Sequence, residues 1–130
     1  MALERDRKTR DYLYGRLLAV ADCLEGFALS SAEKGRPTNA ARLMQRFANY
    51  PCSTWRNIEL ALLPYKARLG AKIKKYDLAQ KEIMDMFVAD EFSKDEPLSG
   101  EFLLGYHTQR SELMKAKIKT DKTDNGEETE

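Results

Sequence analysis

The chain has 130 residues, of which 42% are hydrophobic and 33% charged, with 22 Lys plus Arg against 21 Asp plus Glu and a formal net charge of +1. That is material for one domain with a core rather than a disordered tail, and at a mean hydropathy of −0.61 no stretch nears the ~20 apolar residues of a membrane span. The start MALERDRKTR lacks the apolar run of a signal peptide, and Cys23 and Cys52 are too few for a disulfide framework or a four-cysteine zinc site, so a soluble cytoplasmic protein with reduced core thiols is expected.

Over 6–31, Tyr12, Leu13, Leu17, Val20, Ala21, Leu24 and Ala28 recur at helical spacing. One long helix is expected there, with soft spots at Gly15 and Gly26, each costing about 1 kcal/mol against Ala. EKGRP ends it. Thr38 or Asn39 can cap a second helix running to Tyr50, because a short side-chain oxygen satisfies the free amides of a first turn. Stepping about 100° per residue from Arg42 puts Leu43, Met44, Phe47, Ala48 and Tyr50 on one arc, and Arg42, Gln45, Arg46 and Asn49 on the other.

Ser53 reads as the cap of a third helix carrying Trp55, Ile58, Leu60, Leu62 and Leu63. It is apolar on almost every face and is therefore expected at the centre of the core, with Trp55 as an anchor. Pro64 should kink or restart it, since proline lacks an amide hydrogen and clashes with the preceding turn. A basic helical stretch over 66–75 follows, with a junction near Gly70, and then Tyr76, Leu78, Ile83, Met84 and Phe87 at helical spacing. The span 90–97 reads as an acidic loop. Ser99 can cap a last helix through Phe102, Leu103, Tyr106, Leu113 and Met114. The fold class is all-α: a compact bundle of five or six helices over 1–119, with a disordered acidic tail over 120–130, which has no apolar residue.

The net charge of +1 suggests no polyanion partner until it is divided along the chain. Residues 34–75 carry ten Lys and Arg against Glu59 alone, a net of +9, while 77–101 carry −6 and 120–130 carry −4. A basic excess of this size neutralises several phosphates. Arg42, Gln45, Arg46 and Asn49 share one face and offer donors suited to backbone oxygens, and Lys66, Arg68, Lys72, Lys74 and Lys75 form a second basic surface. Without a motif that reads base edges, contact is expected with the nucleic-acid backbone.

Catalytic chemistry is harder to place. His107, the one histidine, lies near the apolar face set by Leu103 and Tyr106 and reads as a partly buried, hydrogen-bonded residue rather than a general base. There is no nucleophile elbow and no P-loop. Asp85, Asp90, Glu91, Asp95 and Glu96 lack the spacing and glycine of a calcium loop, and read as a solvated or protein-contact surface. No enzyme activity, cofactor or metal is expected.

Four segments carry a resemblance: RDYLYGRLLAVAD at 10–22, RPTNAARLMQRFANYPCSTWRNIELAL at 36–62, PYKARLGAK at 64–72 and PLSGEFLLGYHTQR at 97–110. They resemble the C-terminal region of the large subunit of type I-C CRISPR effector complexes (Cascade). A separate chain starting at Met1 is similar to the small subunit that this family makes from an internal start site. The resemblance implies a non-catalytic helical bundle that lines a crRNA-bearing complex, often in several copies, beside its backbone and large subunits, and helps hold target DNA in the R-loop. Cleavage then belongs to a separate helicase-nuclease. Arg42, Arg46, Lys66, Arg68, Lys72, Lys74 and Lys75 are the expected DNA-backbone contacts, chosen by charge and helical face. RPTNAxR and STW are expected to define the fold, through Thr38, Ser53 and Trp55. The competing expectation is an assembly adaptor whose basic face meets protein or guide RNA.

Overall fold

The first helix, α1 (Arg10–Ala28), is wrapped on every side: residues 12–21 are all buried. The computed structural model describes residues 2–124, with side chains through 115. Around α1 pack α2 (Asn39–Arg42), α4 (Pro51–Leu69), α5 (Lys74–Met86) and α7 (Glu101–Asp124), with α3 (Met44–Asn49) against α4 and the short α6 (Ala89–Ser93) between α5 and α7. The helices α2 and α3 are two halves of the one predicted over this span, broken at Leu43 (φ −101°, ψ 9°). The fold is all-α, with no strand among the described residues. The last helix runs on to Asp124, into the first part of the tail expected to be disordered over 120–130, and 125–130 lie outside the described residues.

The central position belongs to α1, whereas the sequence assigned it to the helix of Trp55. Apolar residues fill the positions between the periodic ones in α1, Tyr14, Leu18 and Ala19 among them, so its whole circumference enters the core. Gly15 is a contact point rather than a soft spot: a Cβ there would fall 1.9 Å from the Phe102 carbonyl oxygen of α7. In α4, by contrast, only one stripe is buried, with Trp55, Ile58 and Leu62 inward and Leu60 and Leu63 outward at 67% and 57% exposure. Full burial of each inward side chain contributes about 1.5–3 kcal/mol.

Pro64 does not restart α4, which is one helix from Pro51 to Leu69. The carbonyl that loses its donor belongs to Leu60, on the exposed side of the helix and so open to solvent. The cap of α4 is also not Ser53. Pro51 occupies the first turn, and the amides of Cys52 (2.8 Å) and Ser53 (3.1 Å) donate to Oδ1 of Asp95, with the Ser53 hydroxyl donating to its Oδ2 at 2.7 Å. The carboxylate is thus brought to the helix start from the distant acidic segment, part of which is helical (α6) rather than loop. Thr38 does cap α2, accepting from the Ala41 amide at 3.1 Å, and it donates to Asp22 Oδ1 of α1. Tyr50 turns outward at 56% exposure despite its place on the apolar arc.

Pairings at both ends orient the helices. Tyr14 near the start of α1 lies beside Cys52 at the start of α4, and Arg68 near the end of α4 donates to the Ala28 carbonyl at the end of α1. These two helices therefore run the same way. Along α5 the order reverses, with Tyr76 beside Phe27 (ring centroids 6.3 Å) and Phe87, just past its end, beside Tyr14 (4.9 Å). The turn into α5 passes through Gly70 at φ 56°, a left-handed conformation that favours glycine.

Candidate nucleic-acid interface

Because α1 occupies the centre, the polar faces of the peripheral helices are left to solvent, and the basic block is distributed over them. Arg42, Gln45, Arg46 and Asn49 are all exposed, as their shared arc predicts. Arg42 is steadied by donation to Asn39 Oδ1, and Asn49 donates to the Gln45 carbonyl at 3.0 Å. The Arg46 side chain has no hydrogen bond or ion pair among the described residues, so its guanidinium keeps its full donor fork for an external oxyanion.

The second group lies past the other end of α4. Lys72 and Lys74 are exposed on the Gly70 turn with no partner among the described residues, and half-buried Lys75 lies over the Tyr76 ring at 5.3 Å. In sequence the first group precedes the 19 residues of α4 and the second follows them.

Two of the expected contacts are engaged inside the molecule. Lys66 is half-buried and pairs with Asp77 Oδ1 at 3.8 Å. The Arg68 guanidinium grips Glu33 at 2.7 and 3.3 Å and lies over the Tyr65 ring at 5.0 Å. With Arg68 and then the Ser30 amide donating to it, the Glu33 carboxyl is held down at about 2, against an ordinary 4.5. Sequence reasoning chose Arg68 because its partner lies 35 positions away, in a segment read only as a helix end. It passed over Lys34, Arg36 and Arg110, which the fold gathers around one cavity. The first two were counted in the basic block, whereas nothing in the local sequence links Arg110 to them.

His107 is exposed rather than partly buried, its ring edge-on to Tyr106 with centroids 5.1 Å apart. Neither cysteine forms a disulfide among the described residues; Cys52 is buried and Cys23 half-buried. Among the described residues no group of three or more His, Cys, Asp or Glu is placed to hold a metal ion, and no helix is long and apolar enough to cross a membrane.

These features define a helical protein that presents exposed cations on the helices packed around one buried central helix. The chain belongs to the CRISPR-associated protein (Cas_Csd1) family, whose model matches residues 1–114. This agrees with the type I-C resemblance carried by the four segments. A search of the curated proteins finds no match.

Proposed function

We propose that this chain serves as the non-catalytic small-subunit part of a type I-C RNA-guided surveillance complex in the prokaryotic cytoplasm, where it lines the complex and stabilises target DNA through sequence-independent backbone contacts. The observation that carries this reading is the presence of exposed, uncommitted cations, Arg46 on α3 and Lys72 and Lys74 at the turn into α5, with Arg42 exposed on α2. Exchange of one duplex for another in an R-loop is near balance, so a few phosphate contacts tip it. Membership of the family supports the complex as the setting.

The test is charge reversal in the assembled complex. Arg42→Glu with Arg46→Glu, or Lys72→Glu with Lys74→Glu, is expected to weaken target-DNA binding about ten-fold at physiological salt and to flatten its salt dependence, with subunit assembly intact. Unchanged affinity in both double variants overturns the reading. A second reading, an assembly adaptor, is favoured by one observation: Leu60 and Leu63 face outward from α4. Loss of assembly on Leu60→Gln with Leu63→Gln, at unchanged monomer stability, is its signature.

A further inference from the structure

A cavity of about 300 Å³ opens at the end of the bundle where α1, α5 and α7 meet. Apolar side chains line part of it: Tyr76, Leu29 and Leu113 are buried, Phe27 is half-buried and Met114 is exposed. Lys34, Arg36 and Arg110, all exposed, stand at the mouth. One carboxylate also lines it, that of Asp22, and its oxygens are occupied: Oδ1 accepts from Thr38, while Oδ2 accepts from Tyr106 and lies 3.5 Å from Arg110 Nε. Arg36 lies 3.7 Å from Glu25 Oε2 and donates to the Tyr65 hydroxyl, and Lys34 Nζ donates to the Gly26 carbonyl at 3.5 Å. The mouth therefore carries three cations beside two carboxylates, and the volume is at the small end of the ~300–1,000 Å³ range of ligand pockets.

A cationic rim over an aromatic-walled slot is the chemistry of a nucleotide, with phosphate outside and base inside. The setting points the same way. Tyr76, which lines the cavity, follows Lys74 and Lys75 directly in sequence, and Lys75 lies over its ring, so the Lys72 and Lys74 turn adjoins the cavity. Resting on the nucleic-acid reading above, we propose that this cavity receives one nucleotide of a single-stranded nucleic acid, its base against Phe27 and Met114 and its phosphate at Lys34, Arg36 and Arg110. A base inside a duplex is stacked and paired and does not enter such a slot. The cavity therefore discriminates a displaced strand from duplex, which backbone contacts alone do weakly.

Gly26 supplies the test. It lines the cavity, and a Cβ added there meets nothing within 4 Å, so Gly26→Leu fills the slot while raising helix propensity. The full chain, isotope-labelled, is titrated with thymidine monophosphate and with a ten-residue oligothymidylate, and the amide resonances of Gly26, Phe27 and Leu113 are followed. Both probes are expected to shift them. Gly26→Leu is expected to abolish the mononucleotide shifts and weaken the oligonucleotide about ten-fold, with its salt dependence retained. Lys34→Gln, at an exposed position, is expected to weaken both probes about three-fold. Oligonucleotide binding that leaves these amides unmoved and is indifferent to Gly26→Leu overturns the cavity and leaves the proposed function standing. Mononucleotide shifts without oligonucleotide binding overturn the strand as ligand and count against the proposed function, while leaving a free-nucleotide pocket. No shift with either probe overturns the inference outright.

Discussion

Gly15 of α1 and Gly105 of α7 open the same crossing from opposite sides. A Cβ on Gly15 would stand 1.9 Å from the Phe102 carbonyl oxygen, and one on Gly105 would stand 2.2 Å from that of Tyr12. The two helix backbones therefore touch, and the side chains that flank the crossing pair across it: the Tyr12 and Thr108 hydroxyls at 2.9 Å, and Arg16 Nε donating to Gln109 Oε1 at 2.7 Å.

The crossing predicts opposite signs for three glycine-to-alanine changes. Gly15→Ala and Gly105→Ala each push α7 off α1 and should destabilise by at least about 1–3 kcal/mol, the usual cost of overpacking. Gly26→Ala enters open space in the same helix and should stabilise by a few tenths to about 1 kcal/mol through backbone entropy. Denaturant midpoints at constant slope measure all three; a neutral Gly15→Ala contradicts the tight crossing.

Arg16 is fully buried within α1. Burial pushes its guanidinium pKa below the ordinary value, and Glu82 opposes the shift. Its Nη2 comes within 3.5 Å of Glu82 Oε2 without making a hydrogen bond, so the well-made bond is the one to Gln109. Arg16→Met leaves the buried Gln109 oxygen unsatisfied and should cost about 1–3 kcal/mol. Arg16→Met with Gln109→Leu removes both partners and should be more stable than Arg16→Met alone. A double-variant cycle with no coupling refutes this pairing.

Asp95 caps α4 from outside the helix. Desolvation works to raise its pKa, but the donors of Ser53 and Cys52 outweigh it and hold the carboxyl below its ordinary 3.8. Asp95→Ala should lower stability at neutral pH by about 1 kcal/mol, the usual worth of an N-cap. Because the folded-state pKa is the lower one, the wild-type advantage is complete above the ordinary value and fades as pH falls through the folded one. Melting curves of the two proteins should converge in acid.

The Glu33–Arg68 pair follows the same sign, with its window set between 4.5 and about 2. Glu33→Gln should flatten the acid limb of the melting profile across that window, while leaving target-DNA binding unchanged. If Arg68 instead serves as a phosphate contact, releasing it from Glu33 should tighten binding, and an affinity titration decides between the two.

The helical periods, the Thr38 cap, the buried Trp55, the Gly70 turn and the exposed Arg42–Arg46 face were all legible in the sequence, since each depends on a few neighbouring residues. Arg68 shows the complementary case, its ion pair with Glu33 having left no trace in the local sequence. It carries the same charge and exposure pattern as Lys72, and what separates them is a glutamate 35 positions away. Pro64 was read as a breaker because sequence alone does not reveal that the carbonyl it frees faces water.

What the sequence by itself determined was an all-α chain with ten cations concentrated over 34–75, because helical spacing and charge are properties of short segments. Only the tertiary structure decided that α1 rather than α4 is central, that Asp95 rather than Ser53 caps α4, and that Lys34, Arg36 and Arg110 face one cavity. Those outcomes depend on how many neighbours surround each helix and which distant groups they bring, and periodicity within a helix holds no record of either.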